Sequence, residues 1–440
     1  MIRLWTVLAL YLVNLPSADS LFVIALTLPM LAMVIVGLWQ LKSRDFQLGD
    51  VFWFCLFVYF VISPLQRIHG DQLGGATAIT AYAYEPAEYV QAMLVVVLFA
   101  FPFLFVSMKS SEGQAGGDVR PGMPFILLVN IVAFILFAMS EGGLERLLSS
   151  RLEQDASQPF IASMLFLAMQ SATACLVAAN FRQSQRRFAL LLLSLLVLAL
   201  LSVARNPFNA PRFMLLAVWG PVFLALAGGR ISATKFYVSS LLALTVLFPV
   251  LNVTTRSGMD GLRGLPQISV VGNFFDIPSI DVFDMAVHCI RYMATHDHMW
   301  GEKLTAVVLF FIPRAIWPGK PIVGGLDIGN DLFAAGMYGT PNLSFFLGCD
   351  FYMDFGFVGV VLGGVLCAFL MAAVIRFSED RFFGVPVPQL FVAASLPILL
   401  RGPVGAVLPL FVCQMFVTKL LAVSLRRSDR PANATQLWRV

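Results

Sequence analysis

Leu21-Phe-Val-Ile-Ala-Leu-Thr-Leu-Pro-Met-Leu-Ala-Met-Val-Ile-Val-Gly-Leu-Trp-Gln-Leu41 contains no charged residue. Crossing the roughly 30 Å hydrocarbon core of a bilayer takes about 20 helical residues, and this stretch is long enough. Met123–Met139 and Val238–Val253 repeat the pattern. Across 440 residues the chain is 59% hydrophobic and only 12% charged, about half the charge of an ordinary soluble domain. The fold class expected is an all-α polytopic membrane protein.

Twelve spans are predicted, near residues 4–18, 21–41, 49–65, 88–108, 122–140, 159–180, 187–204, 211–228, 235–253, 344–375, 387–400 and 403–424. Arg3 before the first apolar run resembles a signal-peptide start, but a second apolar run follows at once, so an uncleaved hairpin is expected. The predicted organisation is an N-terminal bundle of about nine spans (1–253), a large loop (254–343), about three C-terminal spans (344–425) and a tail (426–440).

Lys and Arg near span ends set orientation. Lys42 and Arg44, Arg182 with Arg186 and Arg187, and Arg426, Arg427 and Arg430 lie in short connections or the tail on one side. Both termini are therefore expected in the cytoplasm, with the long loop outside. The cations on the other side concentrate between Arg256 and Arg401, and long loops cross regardless of charge.

Several function classes fall away. No GxxxxGK[ST] is present and no inner connection could form a nucleotide-binding domain, which disfavours ATP-driven transport. The six cysteines form no CxxC pair or zinc spacing, so neither a metal site nor a cofactor is expected. The net charge of +4 is too small to suggest nucleic acid.

Asp281–Thr295 reads as an amphipathic helix with Asp281, Asp284, His288, Arg291 and Thr295 on one arc. It either lies on the membrane or bundle with a wet face, or roofs a cavity with His288 or an aspartate available as a base. The apolar run from Leu304 is less than half a span and reads as a re-entrant or interfacial helix stopped by Pro313. Arg314 and Lys320 would then be held at a cavity; the alternative is that they snorkel to headgroups. Arg205 and Arg212 flank the turn NPFNAP, Arg401 sits in LRGPVG, and Asp350 and Asp354 lie near the start of the tenth span. Gly356, Gly359, Gly363 and Gly364 are expected to serve close helix packing. Several arginines with one or two carboxylates at one face could bind a diphosphate bidentately and orient an acceptor hydroxyl.

Three stretches carry a family resemblance. IPRAIWPGKP is similar to the PR-x-x-W-P-x-K-P element of the Wzy-type O-antigen (oligosaccharide repeat-unit) polymerases. LGCDFYMDFGFVGVVLGG resembles that family's acidic–aromatic–FG entry into a late span, and APRFMLLAVW with LLRGPVG resembles its arginines at span ends. Asp350 stands where glutamate is more often found. The resemblance implies a GT-C-like membrane glycosyltransferase at the periplasmic face of the bacterial inner membrane. It would transfer the growing chain from undecaprenyl diphosphate to the next lipid-linked unit, with membrane lipid and a chain-length regulator protein as partners. Diphosphate contacts are then expected from Arg212, Arg256, Arg314 and Lys320, with Arg205, Arg263 and Arg401 as further candidates. Acceptor activation falls to Asp350, Asp354 or His288. An O-antigen ligase shares this layout, and a flippase or transporter of lipid-linked glycans is the third reading.

Overall fold

A computed structural model describes residues 2–70, 72–74, 79–80, 82–108, 118–148, 161–181, 187–206, 210–228, 231–247, 280–321, 324–339, 341, 343–402 and 404–428. The described chain is mostly helical. In order the helices are α1 (Ile2–Asn14), α2 (Leu21–Trp39), α3 (Leu48–Arg67), α4 (Pro86–Phe105), α5 (Met123–Ser140) and α6 (Leu144–Leu148). Next come α7 (Ile161–Phe181), α8 (Arg187–Ala204), α9 (Arg212–Leu226) and α10 (Ala233–Leu247). The series ends with α11 (Val282–Met293), α12 (Glu302–Val308), α13 (Leu326–Ala334), α14 (Leu347–Phe377), α15 (Val387–Arg401) and α16 (Val404–Ser428). Five strands of two residues each are present: β1 (Ile68–His69), β2 (Gln72–Leu73), β3 (Tyr82–Ala83), β4 (Asp118–Val119) and β5 (Arg381–Phe382).

Within the described residues each predicted apolar segment overlaps a helix. Seven of these helices are long and apolar enough to cross a membrane: α2, α3, α4, α5, α7, α14 and the Val407–Arg426 part of α16. Five more are apolar but shorter: Ile2–Ser17, Leu191–Ala204, Arg212–Leu226, Ala233–Leu247 and Val387–Arg401.

The helices form two compact units, each discontinuous in sequence: residues 1–110, 230–374 and 395–409 in the first, and 111–229, 375–394 and 410–440 in the second. At the centre of the first unit, α3 is buried on nearly every side from Leu48 to Ile62. It begins with a capping box between Gln47 and Asp50. Gly37 of α2 lets α3 come close, because a Cβ there would meet the Trp53 ring at 2.1 Å. Near its end α3 opens into a π-turn at Val58–Ile62. Pro64 follows two residues later and has no N–H to continue the regular ladder.

In α14, Phe355 and Gly356 leave helical geometry, Gly356 with φ 62° and ψ −153°. The part after this kink is long enough to span a bilayer at about 1.5 Å per residue. Gly364 lies where a Cβ would approach the Phe99 carbonyl at 2.5 Å, so this glycine does serve close packing, against α4.

In the second unit α7 is the buried centre, packed with α5, α8 and α9. Polar side chains stitch its apolar faces: Asn130 donates to Thr173 Oγ1 at 2.8 Å, and Gln414 donates to Ser171 Oγ and the Ala217 carbonyl at 3.2 and 3.1 Å. Strands β4 and β5 pair in parallel there, and Asp118 accepts from Gly384 N at 2.6 Å.

Candidate functional site

The amphipathic helix expected from Asp281 onward is present as α11, but not with a wet face. Every residue from Val282 to Ile290 is buried. Its polar stripe, from Asp281 to Arg291, is matched by groups far away in the chain. Asp284 pairs with Arg67 of α3, both side chains being almost fully enclosed. Asp281 accepts from the Ser344 hydroxyl, and Arg401 Nη2 lies 3.9 Å from the same carboxylate oxygen. Arg291 grips Glu88 of α4 with Nε and Nη2, donates to the Ala83 carbonyl at 2.8 Å and lies 4.0 Å over the Tyr84 ring. A buried charge is tolerated only when paired and hydrogen-bonded, and these partners are what let the stripe turn inward.

His288 completes the stripe. Its Nδ1 meets the Tyr84 hydroxyl, and its Nε2 the Tyr338 hydroxyl at 2.9 Å. Burial, reinforced by the nearby Arg291 charge, pulls the imidazole pKa down to about 3. Burial also raises the two phenols, so all three groups are neutral at physiological pH. A neutral imidazole has one donor and one acceptor nitrogen, so one tyrosine donates to the ring and the other accepts from it. Both nitrogens are thereby committed. The stripe is a polar spine that fixes α11 among α3, α4 and the segments carrying Tyr84 and Tyr338.

The two aspartates of α14 differ in state. Asp354 accepts from Lys303 N at 3.1 Å and Leu304 N at 2.8 Å, so it caps the start of α12 from outside the helix. Both of its oxygens are used in that cap. Asp350, one turn earlier on the same face, is 4% exposed. Its Oδ1 accepts from Gly324 N at 3.2 Å, while its buried Oδ2 has no hydrogen-bond partner among the described residues. Nearby, Lys303 is itself buried and donates to Asp327 at 2.5 Å.

The half-span expected to stop at Pro313 ends earlier, with Leu309 as its C-cap. The helix closes four residues before Pro313. Lys320 reaches back from the far side of the PRAIWPG turn and donates to the carbonyls of Leu309, Phe310 and Ile312 at 3.1, 3.0 and 3.0 Å. These carbonyls lie at and just beyond the C-cap Leu309, where no intrahelical donor serves them, so the ammonium caps the chain as it leaves α12. It also uses all three Lys320 donors, so the expected diphosphate contact from Lys320 competes with its own fold. Burial, with Arg314 beside it, lowers the Lys320 pKa. Arg314 is half-buried and donates one Nη1 bond to the Lys320 carbonyl at 2.7 Å. Among the described residues, the rest of its guanidinium fork has no partner.

The remaining cations are divided between the two units or lie outside the described residues. Arg401 joins the Asp281 end of the spine, its Nε lacking a partner. Arg205 and Arg212 belong to the second unit. There Arg205 lies 4.0 Å from Glu141 and 4.9 Å over the Phe137 ring, with burial lowering its pKa. Arg212 opens α9. Arg256 and Arg263 lie outside the described residues. Sequence reasoning passed over Lys303 and Asp327, and gave no role to Arg67, Glu88, Tyr84 or Tyr338. Only Arg67 and Glu88 carried a signal, as charges at the ends of apolar runs.

No protein-family model, no curated protein and no solved structure matches this chain.

Proposed function

We propose that this chain is a Wzy-type polymerase of lipid-linked oligosaccharide repeat units in the bacterial inner membrane. Twelve spans would place both termini in the cytoplasm and the segment from 254 to 343 in the periplasm. The observation that carries the reading is Arg314. It stands on a turn braced at both ends, by Asp354 on α12 and by Lys320 on the carbonyls before Pro313. A planar guanidinium held rigidly, with most of its fork uncommitted, suits a diphosphate oxygen pair better than a mobile lysine would.

In this mechanism the bond from the anomeric carbon to the diphosphate oxygen breaks. A bond from an acceptor hydroxyl of the incoming lipid-linked unit to that carbon forms. Arg314 stabilises charge growing on the departing undecaprenyl diphosphate. Asp350, whose Oδ2 has no donor, takes the hydroxyl proton once the Gly324 segment moves aside. A chain-length regulator would act on how often the cycle repeats.

Arg314→Ala and Asp350→Asn each abolish long-chain polymer and leave single repeat units, read on a gel of surface glycan. Arg314→Lys restores only a small part of it, since it keeps the charge and loses the fork. Wild-type chain lengths in Arg314→Ala sink the assignment. In a deletion strain, full-length polymer stranded on the carrier lipid points to a ligase, and intermediates trapped inside point to a flippase.

A further inference from the structure

We propose that the turn between α11 and α12 is a binding subsite for pyranose rings of the glycan, built on Trp300 and the Tyr292–His296 pair; this rests on the polymerase reading. Trp300 is 78% exposed and has φ 47°. A bulky residue in the left-handed region is a true outlier, and such strain persists only where surrounding structure enforces it. Here Met299 N donates to the Met353 carbonyl at 3.0 Å and Trp300 N to the Asp354 carbonyl at 3.1 Å. Gly301 follows at φ 94°, and the Asp354 carboxylate then caps α12. The chain is thus clasped to the α14 kink in a shape that glycine would adopt without strain, yet the position holds tryptophan. What the strain achieves is display of the indole. Phe355 supports it edge-on at 6.5 Å between ring centroids and is itself part-exposed.

One turn back, Tyr292 and His296 stack face to face at 3.8 Å with 6° between their planes. His296 is pinned by its Nδ1 contact with the Tyr292 carbonyl at 2.9 Å. Thr295, His296, Asp297 and His298 are all exposed, and polar side chains of this kind are costly among acyl chains. Rigid aromatic plates with carboxylate and imidazole acceptors at their edges match a pyranose, which offers an apolar C–H face rimmed by hydroxyls. The clasp also fixes the distance to chemistry, since Trp300 is bonded to the residue one turn beyond Asp350.

The test uses the full chain in phosphatidylcholine nanodiscs. The probe is oligosaccharide released by mild acid from the cell's own lipid-linked units, followed by saturation-transfer NMR. Trp300→Ala and Tyr292→Ala weaken binding at least fivefold, Trp300→Phe keeps most of it, and cells carrying Trp300→Ala make shorter chains. Wild-type binding by Trp300→Ala overturns the subsite, as does quenching of Trp300 fluorescence by brominated acyl chains, which makes it a lipid anchor. If Arg314→Ala abolishes polymer while Trp300→Ala behaves as wild type, the subsite fails alone. If Arg314→Ala is also wild type, the polymerase reading falls and the subsite falls with it.

Discussion

Arg3→Ala tests the principle on which this molecule is built, that a cation in an apolar helix is held by complete pairing. Arg3 and Asp50 are almost fully enclosed. Arg3 donates through Nε and Nη2 to the two Asp50 oxygens at 2.6 and 2.9 Å. Nη1 reaches the carbonyls of Leu41 and Ser43, and Nη2 also reaches that of Asp45. All five guanidinium N–H groups are therefore used. Asp50 is equally saturated, accepting in addition from Gln47 N at 2.8 Å and the Tyr237 hydroxyl at 3.2 Å. The cluster ties α1, the segment following α2, α3 and α10 together in the first unit. Each bond to a charged group contributes about 1.5–3 kcal/mol, but bonds that share one charge are not additive. The better guide is the cost of breaking a buried pair, about 3–5 kcal/mol, because Asp50 is left charged and uncompensated. Arg3→Ala is expected to cost that much in reversible unfolding by dodecyl sulfate in bicelles. Asp50→Leu falls in the same range. The double variant Arg3→Met with Asp50→Leu costs less than the sum of the two single changes by about 2 kcal/mol or more, since no lone charge remains. A loss below about 1 kcal/mol for Arg3→Ala, or additive single and double variants, refutes the reasoning.

Two further outcomes are expected from the segment between α10 and α14. His288 has a folded-state pKa near 3 against about 6.5 in an unfolded chain, so the unfolded state binds the proton more readily. Its contribution to stability is complete above about pH 6.5 and is lost as pH falls toward 3, at up to ~1.4 kcal/mol per pH unit. His288→Gln removes this slope between pH 6.5 and 5 in the same unfolding assay, and an unchanged slope refutes the assignment. Lys320→Met uncaps the carbonyls of residues 309, 310 and 312, a local cost of about 1–2 kcal/mol. Amides of α12 then exchange roughly tenfold faster in hydrogen exchange, and wild-type protection there rules out the cap.

The apolar helices were legible because apolar length is a local property: Leu21–Leu41 announces α2 without reference to any other part of the chain. The stripe of α11 was legible too, since 3.6-residue periodicity places Asp281, Asp284, His288 and Arg291 together. Its environment was not. Arg67 and Asp284 are 217 positions apart, and no local pattern reveals that a polar stripe will be met by an equally polar surface. Pro313 misled for a related reason. Proline is a recognised helix stop, but Lys320 reaches back 11 positions to the Leu309 carbonyl, and α12 closes before proline is reached. Asp350 and Asp354 look equivalent in sequence at a spacing of four. Only the three-dimensional neighbours assign one to a helix cap and leave the other with an open oxygen.

A high density of cations is therefore a poor measure of anion affinity in this chain. A cation whose donors are saturated by carbonyls or a carboxylate must break those bonds before it can hold phosphate, and in a low-dielectric setting that cost rivals the gain. Lys320 is already spent as a cap, Arg291 and Arg67 are matched to carboxylates, and Arg401 shares the charge of Asp281. These pairs keep the segment rigid while contributing little net field at a distance. Arg314 differs in combining a fixed position with an uncommitted fork. If diphosphate is held by this face, exchanging any of the paired cations should act through stability, whereas Arg314→Lys should lower turnover in a protein that unfolds like the wild type. That separation of activity from stability distinguishes a binding arginine from one more structural cation.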